Sequence, residues 1–363
     1  MRILTVNAGS SSLKLRLLGD GDELLAAEDP PRPDAGEEGD LEAVVARLGP
    51  IDAVGHRIVH GGSRFVEPVR IDPGVRRVLE ELTDLAPLHQ PASLAALDAV
   101  TAALPDVPAV ACFDTAFHAG LPDAAATYAL PRAWNERWGL RRYGFHGLSH
   151  AYAARRAAEL LRRPVAGLRV VTCHLGSGAS LAAVRDGRSV DTTMGFTPLE
   201  GLVMATRSGD VDPGLLLWLQ ERAGLEPAAM SAELESRAGL LGLSGTADMR
   251  EVVARTAAHD PAAVLALGVY LHRLRGAIAA MVAALDGLDV LVFTGGVGEH
   301  APEVRAGAVE GLGFLGLRID PVRDREVKGD ALISPPGTTV QVLVVSARED
   351  IEIARGVRQA LTA

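Results

Sequence analysis

Lysine is nearly missing from this chain. Of the 36 basic residues only Lys14 and Lys328 are lysines, and arginine supplies the rest. Codon bias is the plain explanation of the scarcity, yet the scarcity makes the lysine kept at position 14 somewhat more informative. Cysteine is equally sparse, with Cys112 in "AVACFD" and Cys173 in "VVTCHLG". Both lie in apolar, strand-like runs, so reduced, buried thiols are expected, with neither a disulfide nor a metal site. Positive charge is not in excess, the formal net charge being −10. That argues against generic binding to nucleic acid or to an anionic membrane, and any anionic ligand must be recognised locally. No apolar run approaches the roughly 18 residues of a membrane span. The first residues also lack the basic, apolar, small-residue order of a secretory leader, so a cytoplasmic location is expected.

What is present describes an ordinary globular chain. Its 363 residues, 48% hydrophobic and 23% charged, exceed what one core usually serves and predict two domains. Strand and helix patterns alternate throughout, which predicts an α/β architecture. Residues 19–50, with "EDPPRPDAGEEGD" at their centre, read as a surface loop. A long helix is predicted to start at Asp260-Pro261, a cap followed by proline at the first helical position. Its apolar positions Val264, Leu267, Leu271, Leu274, Ile278, Met281 and Leu285 recur in steps of three and four, as a core-facing stripe would.

Two hairpins look alike. "TVNAGSSSLKLRLL" and "TCHLGSGASLAAVRDG" each run strand, small Gly/Ser turn, alternating strand. In the first, Leu13, Leu15 and Leu17 point one way and Ser12, Lys14 and Arg16 the other. Asn7, Ser10 and Ser12 can then ring a concavity suited to phosphate or hydrated magnesium, because Gly9 lets backbone approach closely. A plain hairpin turn explains the same residues. The second turn adds His174, Gly176, Ser177, Gly178 and Ser180. A third glycine-rich turn, "FTGGVGEH", follows an apolar strand and precedes a helix near Pro302, a context that favours anions. No Walker lysine motif occurs, and "GLGFLG" at 311–316, the one GxGxxG pattern, does not follow an apolar strand as a Rossmann fingerprint does. Arg57 in "GHRIVHGG", Arg207 in "MATRSGDVDPG", His146 and His150 in "RRYGFHGLSH" and Asp114 in "FDTAFH" are further candidates. Each taken alone is as well explained by a surface ion pair, a structural histidine or a cap.

Taken in order, "VNAGSSSLK", "GHRIVHGG", "LAPLHQP", "FDTAFH", "RRYGFHGLSH", "HLGSGAS", "MGFTPLEGLVMATRSGDVDP" and "VFTGGVGE" resemble the acetate kinase family, from the first strand to "REDIEIAR". The resemblance implies two ribonuclease H-like domains of the actin-like ATPase fold around a central nucleotide cleft. The expected boundaries are 1–145 with 350–363 for the N-terminal domain, and 146–349 for the nucleotide-binding one. It implies phosphoryl transfer between ATP and acetate, with Mg2+ or Mn2+, and a homodimer.

By the same resemblance, Asn7, Ser10, Ser12 and Lys14 form the magnesium and phosphate end of the site, with Asp114 and Glu349 as its acids. Arg57 meets the substrate carboxylate, and Val59, Leu88, Phe145 and Pro198 enclose its methyl group. His89, His146 and Arg207 hold the transferring phosphoryl group. The second turn (His174, Gly176, Ser177, Gly178), Asp248, Met249, Arg250, Gly296, Gly298 and His300 face the nucleotide. The chain departs from the family pattern at Ser177 (usually Asn), Met249 (Phe), His300 (Asn) and Ser63 (commonly acidic), and residues 19–50 are shorter than usual. A kinase for propionate or another short-chain acid is one alternative. A non-catalytic nucleotide switch like actin or Hsp70 is the other, and it has no need of an arginine beside a small apolar pocket.

Overall fold

Two six-stranded sheets organise the chain, and both are built the same way. The computed structural model describes residues 1–8, 13–31, 41–87 and 89–362. The first sheet contains β1 (Ile3–Ala8), β2 (Leu13–Leu18), β3 (Leu24–Glu28), β4 (Ala53–Ile58), β5 (Val69–Arg70) and β6 (Ala109–Phe113), in the order 3-2-1-4-6-5. The second contains β7 (Arg169–Leu175), β8 (Ala179–Arg185), β9 (Arg188–Thr192), β10 (Val290–Thr294), β11 (Ala331–Leu332) and β12 (Gln341–Val344), in the order 11-12-10-7-8-9. In each, an antiparallel three-strand meander is continued by two parallel strands and closed by a short antiparallel edge strand. The duplicated hairpin read in the sequence is thus the start of a duplicated α/β sheet, the ribonuclease H-like arrangement of the actin-like ATPase fold.

The chain divides into two compact units. One comprises Met1–Ala119, Phe145–Tyr152 and Arg348–Ala363; the other comprises Gly120–Gly144 and Ala153–Ala347.

Local patterning explains the strands. On β2, Leu13, Leu15 and Leu17 are buried while Lys14 is exposed, the alternation of a strand with one core face. Strand β10 is buried at all five positions, as a parallel strand covered on both faces should be. In the first unit, Leu4, Val6, Leu13 and Leu15 pack against Val44, Val45, Leu48, Ala96 and Val100 from the helices Leu41–Leu48 and Gln90–Ala103. The opposite face of the sheet, with Ile3, Leu18, Ala53, Val110 and Cys112, is covered by Ile353, Ala354 and Val357 of the last helix, Glu349–Thr362. That helix lies close on β4: a Cβ at Gly55 would stand 2.5 Å from Ile353 Cγ2 and 2.7 Å from Val357 Cγ2. Gly55→Ala should therefore cost about 1–3 kcal/mol of stability, the usual range for overpacking a core. Urea unfolding checks this, and a midpoint equal to that of the parent would remove the close-packing argument.

Two expectations need correction. Residues 19–50 are not loop throughout, because they carry β3 and the helix Leu41–Leu48. The run "LEAVVARL" is short but amphipathic, and it buries Val44, Val45 and Leu48; the proline- and acid-rich centre dominated the reading by composition. The long helix runs Pro261–Leu285 and is capped as expected, with Asp260 Oδ1 accepting from the Ala262 and Ala263 N–H groups. Its buried stripe is Ala263, Ala266, Tyr270, Leu274, Ile278, Met281 and Leu285. Val264 is 46% exposed, so the first two turns bury small residues where the large ones were expected. This helix is long and apolar enough to cross a membrane by length and composition, but it packs along β7, β8 and β9.

Cys112 and Cys173 are buried on β6 and β7, and burial pushes the Cys112 thiol up to about 12. His56 on β4 is also fully buried, neither ring nitrogen has a hydrogen-bond partner among the described residues, and burial lowers its pKa from 6.5 to about 4. In that window the unfolded chain takes up a proton that the folded chain refuses. Stability should therefore fall as pH drops from 6.5 toward 4, by roughly 1.4 kcal/mol per pH unit for this one histidine. Replacing His56 by leucine should flatten the pH dependence of the urea midpoint, and an unchanged slope would count against it.

Candidate active site

Chemistry collects at the carboxyl ends of parallel strands, where α/β sheets commonly bind ligands. In the first unit Asn7 lies near the end of β1, Arg57 near the end of β4 and Asp114 just beyond β6, while Glu349 opens the helix Glu349–Thr362. Arg57 Nε donates to Asp114 Oδ1 (3.0 Å) and Nη2 to Oδ2 (2.6 Å), a two-pronged pair that matches guanidinium to carboxylate. Arg57 Nη1 donates to Asn7 Oδ1 (3.0 Å) and stands 3.9 Å from Glu349 Oε2, while Asn7 Nδ2 donates to that same carboxylate oxygen (2.6 Å). Asn7, Arg57, Asp114 and Glu349, four residues spread over the whole sequence, form one network.

Burial by itself would disfavour the charged guanidinium, but the carboxylates of Asp114 and Glu349 outweigh it and raise the Arg57 pKa. Burial raises the Asp114 pKa in turn, against the pull of Arg57. The acid is 1% exposed, so its charge leans on that cation, and the His146 backbone N–H adds to the pull.

The turn after β4 is fixed by residues that the sequence does not single out. Gln90 Nε2 donates to the carbonyls of His60 (3.3 Å) and Leu79 (3.2 Å), and Thr115 Oγ1 accepts from Gly61 N–H (3.0 Å). His60 Nδ1 accepts from Gly62 N–H (2.8 Å), and its ring meets that of Phe145 edge to face at 5.5 Å. Gln90 and Thr115 were adjacent to named residues in "LHQP" and "FDTAFH", the only signal available for them. Val59 and Phe145 are buried here. His89 precedes the helix Gln90–Ala103, and His146 takes a left-handed backbone, φ 55°. Lys14 is the register partner of Asn7 across β1 and β2 and so projects from the same face. Ser10, Ser12 and Leu88 lie outside the described residues.

In the second unit, Arg207 Nη1 donates to the Pro198 carbonyl (2.7 Å). Burial lowers the Arg207 pKa against the pull of Glu235, and it has no ion-pair partner among the described residues. A half-buried cation without a close counter-ion among the described residues suits an incoming anion. The loop bearing Pro198 is braced by Glu200, which accepts from Tyr128 Oη (2.5 Å) and pairs with Arg142 (2.5 Å); Arg142 also donates to the carbonyls of Thr193 and Met194, both at 3.1 Å. His174 lies on β7, and Gly176, exposed Ser177 and Gly178 form the tight turn to β8. The turn "GGVGEH" is itself a short helix, Gly295–His300, springing straight from β10, with Gly296 and His300 exposed and Gly298 buried. Asp248 caps the helix Met249–Ala257 and pairs with the exposed Arg250, while Met249 is buried. Ser63 is exposed.

Among the described residues no three histidine, cysteine or acidic side chains cluster as a self-sufficient metal cage. Two carboxylates and an amide oxygen are nevertheless the hard donors that Mg2+ takes when phosphates and water complete its shell.

Duplicated ribonuclease H-like units, with cations and acids at the strand ends, define the class: this is a kinase on the actin-like ATPase fold. The profile of the Acetokinase family matches residues 39–355, and the chain belongs to that family. It is 52% identical over 318 residues to the acetate kinase of Synechococcus sp. (strain JA-2-3B'a(2-13)), covering 87% of this chain and 78% of that protein. It is 47% identical over 393 residues to the acetate kinase of Leifsonia xyli subsp. xyli, covering 99% of each. Among solved structures it superposes with a TM-score of 0.91 on the acetate kinase of Porphyromonas gingivalis, at 37% identity and 99% coverage of both chains. The TM-score is also 0.91 for a propionate kinase of Francisella tularensis, at 33% identity and 99% coverage of both.

Proposed function

We propose that this enzyme transfers the γ-phosphoryl group of ATP reversibly to acetate, giving acetyl phosphate and ADP by direct in-line displacement. The observation that carries the reading is the half-buried Arg57, held by Asp114 and Asn7 at the strand ends of a unit that also buries Val59 and Phe145. A cation beside small apolar walls suits a short carboxylic acid better than a sugar or a protein surface.

An acetate oxygen forms the new bond to the γ-phosphorus as the bond from that phosphorus to the bridging oxygen of ADP breaks, and no proton moves. The acid is already ionised near pH 7, so no general base is needed. Catalysis then rests on alignment and on neutralising two approaching anions. Arg57 orients the carboxylate, with Val59, Leu88, Phe145 and Pro198 around its methyl group. Arg207, His146 and His89 hold the phosphoryl oxygens. Ser10, Ser12, Lys14 and the residues 174 and 176–178 take the remaining phosphates, and Asp248, Met249, Arg250, Gly296, Gly298 and His300 take the nucleoside. Asn7, Glu349 and Asp114 would hold Mg2+, or Mn2+ in its place, which when bound neutralises phosphate oxygens. The domains are assigned as 1–145 with 350–363 and as 146–349, the latter binding the nucleotide, in a cytoplasmic homodimer.

The test is Mg2+- and ATP-dependent acyl phosphate formation trapped with hydroxylamine, comparing acetate, propionate and butyrate. Acetate should give the highest kcat/KM. A higher value for propionate would favour the second reading, to which the Francisella likeness gives its support. ATP binding without any acyl phosphate would favour the nucleotide switch.

A further inference from the structure

His118 belongs to "FDTAFH" but takes no part in the proposed chemistry. It sits in the short 3-10 turn Ala116–His118, wholly buried. Its Nε2 lies 3.1 Å from the carbonyl oxygen of Phe145. A carbonyl only accepts, so Nε2 carries the hydrogen, and burial lowers the pKa to about 4, keeping the ring neutral. That contact is one of three made by consecutive residues. The His146 backbone N–H reaches the Asp114 carboxylate, and the Gly147 N–H donates to the Asp114 carbonyl at 2.9 Å. Gly147 is held so tightly that a Cβ there would collide with that carbonyl. The segment 145–147 is thus fastened, residue by residue, to the turn 114–118.

Between the two outer fastenings lies His146, whose φ of 55° is uncommon for a residue with a side chain. Such a conformation persists where its surroundings over-determine it, and it aims the side chain differently from an ordinary helix start. The His146 carbonyl already accepts from His150 N–H (2.9 Å) as the helix Gly147–Leu161 begins, and the His118 and His150 rings meet edge to face at 5.7 Å.

We infer that His118 is a positioning residue: by donating from Nε2 to the Phe145 carbonyl it holds His146 in its left-handed conformation and aims the His146 imidazole for phosphoryl transfer. The inference rests on the role proposed for His146. It also makes the Asp114 turn the common support of two groups, the guanidinium of Arg57 and the ring of His146.

The experiment compares His118→Leu, His118→Gln and His118→Asn in full-length protein, each brought below its own unfolding transition. Glutamine places its amide nitrogen where Nε2 stood; asparagine falls one carbon short and leucine has no donor. His118→Leu and His118→Asn should lower kcat by about 10²-fold, the loss a 1 Å misplacement can cause, with KM for ATP and acetate little changed. His118→Gln should keep most of the turnover. In a His146→Ala background the His118→Leu effect should vanish, because a residue acting through another is not additive with it. Equal kcat for the glutamine and asparagine variants, or an undiminished His118→Leu effect without His146, would overturn the clamp. If His146→Ala alone leaves turnover unchanged, the role assigned to His146 fails instead. Should His118→Leu not fold, the glutamine and asparagine pair decides the matter.

Discussion

Arg57→Ala should lower kcat/KM for acyl phosphate formation by at least about 10²-fold, since an arginine that neutralises charge in phosphoryl transfer contributes about 10³ to 10⁵. The same substitution should cost stability. Asp114 is 1% exposed and loses the cation paired with it, and stranding one partner of a buried pair costs about 3–5 kcal/mol. A second variant reads the stability effect alone: Arg57→Ala combined with Asp114→Asn removes the stranded charge, so the urea midpoint should recover toward that of the parent. Turnover is read on Arg57→Ala itself, assayed below its own unfolding transition; near-parental turnover there would make Arg57 a structural cation and place the acceptor site elsewhere.

A stability effect of the same size is expected at Arg305, which is 1% exposed and takes no direct part in the proposed chemistry. Its Nε donates to Asp324 Oδ1 (2.6 Å), Nη2 to the Asp324 carbonyl (2.8 Å) and Nη1 to the carbonyls of Gly298 (2.8 Å) and Glu299 (2.9 Å). Those two carbonyls belong to the short helix Gly295–His300, at the end where helix carbonyls run out of intrahelical donors. Arg305→Met would strand the Asp324 carboxylate and three backbone acceptors, at a cost of about 3–5 kcal/mol. Burial already raises the Asp324 pKa, so the carboxyl should bind a proton once the arginine is gone, and the loss should be smaller at pH 5 than at pH 8. A raised KM for ATP with kcat less affected is expected alongside, because Gly296, Gly298 and His300 are assigned to the nucleoside. Equal urea midpoints for variant and parent would show that the pair is dispensable.

Much of the fold was legible before any coordinates. The alternation of Leu13, Leu15 and Leu17 with Lys14 is a local property, and a strand with one buried face needs no tertiary information to be seen. The same holds for Asp260-Pro261, where the cap and the proline mark the helix start by chemistry alone. The repeated hairpin foretold two sheets of one design. Segments of mixed character failed: in residues 19–50 the acidic, proline-bearing centre masked β3 and the helix Leu41–Leu48. In Pro261–Leu285 a period-matched stripe chose Val264 over Ala263 because size, not packing, guided the choice. Alanine is buried there because the neighbours come close, and that closeness is a fact of tertiary structure.

The sequence by itself determined the α/β alternation, the two similar hairpins and a set of motifs specific enough to name a family, because each depends on residues adjacent in the chain. It could nominate Arg57, Asp114 and Asn7 singly, each with an ordinary structural explanation beside it, and it reached Glu349 only through the family resemblance. Only the tertiary structure decided that they form one network, since residues 7, 57, 114 and 349 meet when parallel strands bring their carboxyl ends to the same edge and the last helix returns to the first unit. It alone showed that Gln90, Thr115 and His118 hold the turns behind those groups. Positioning residues carry no motif of their own. Their work is done through hydrogen bonds to backbone atoms, which look alike in every sequence until the chain has folded.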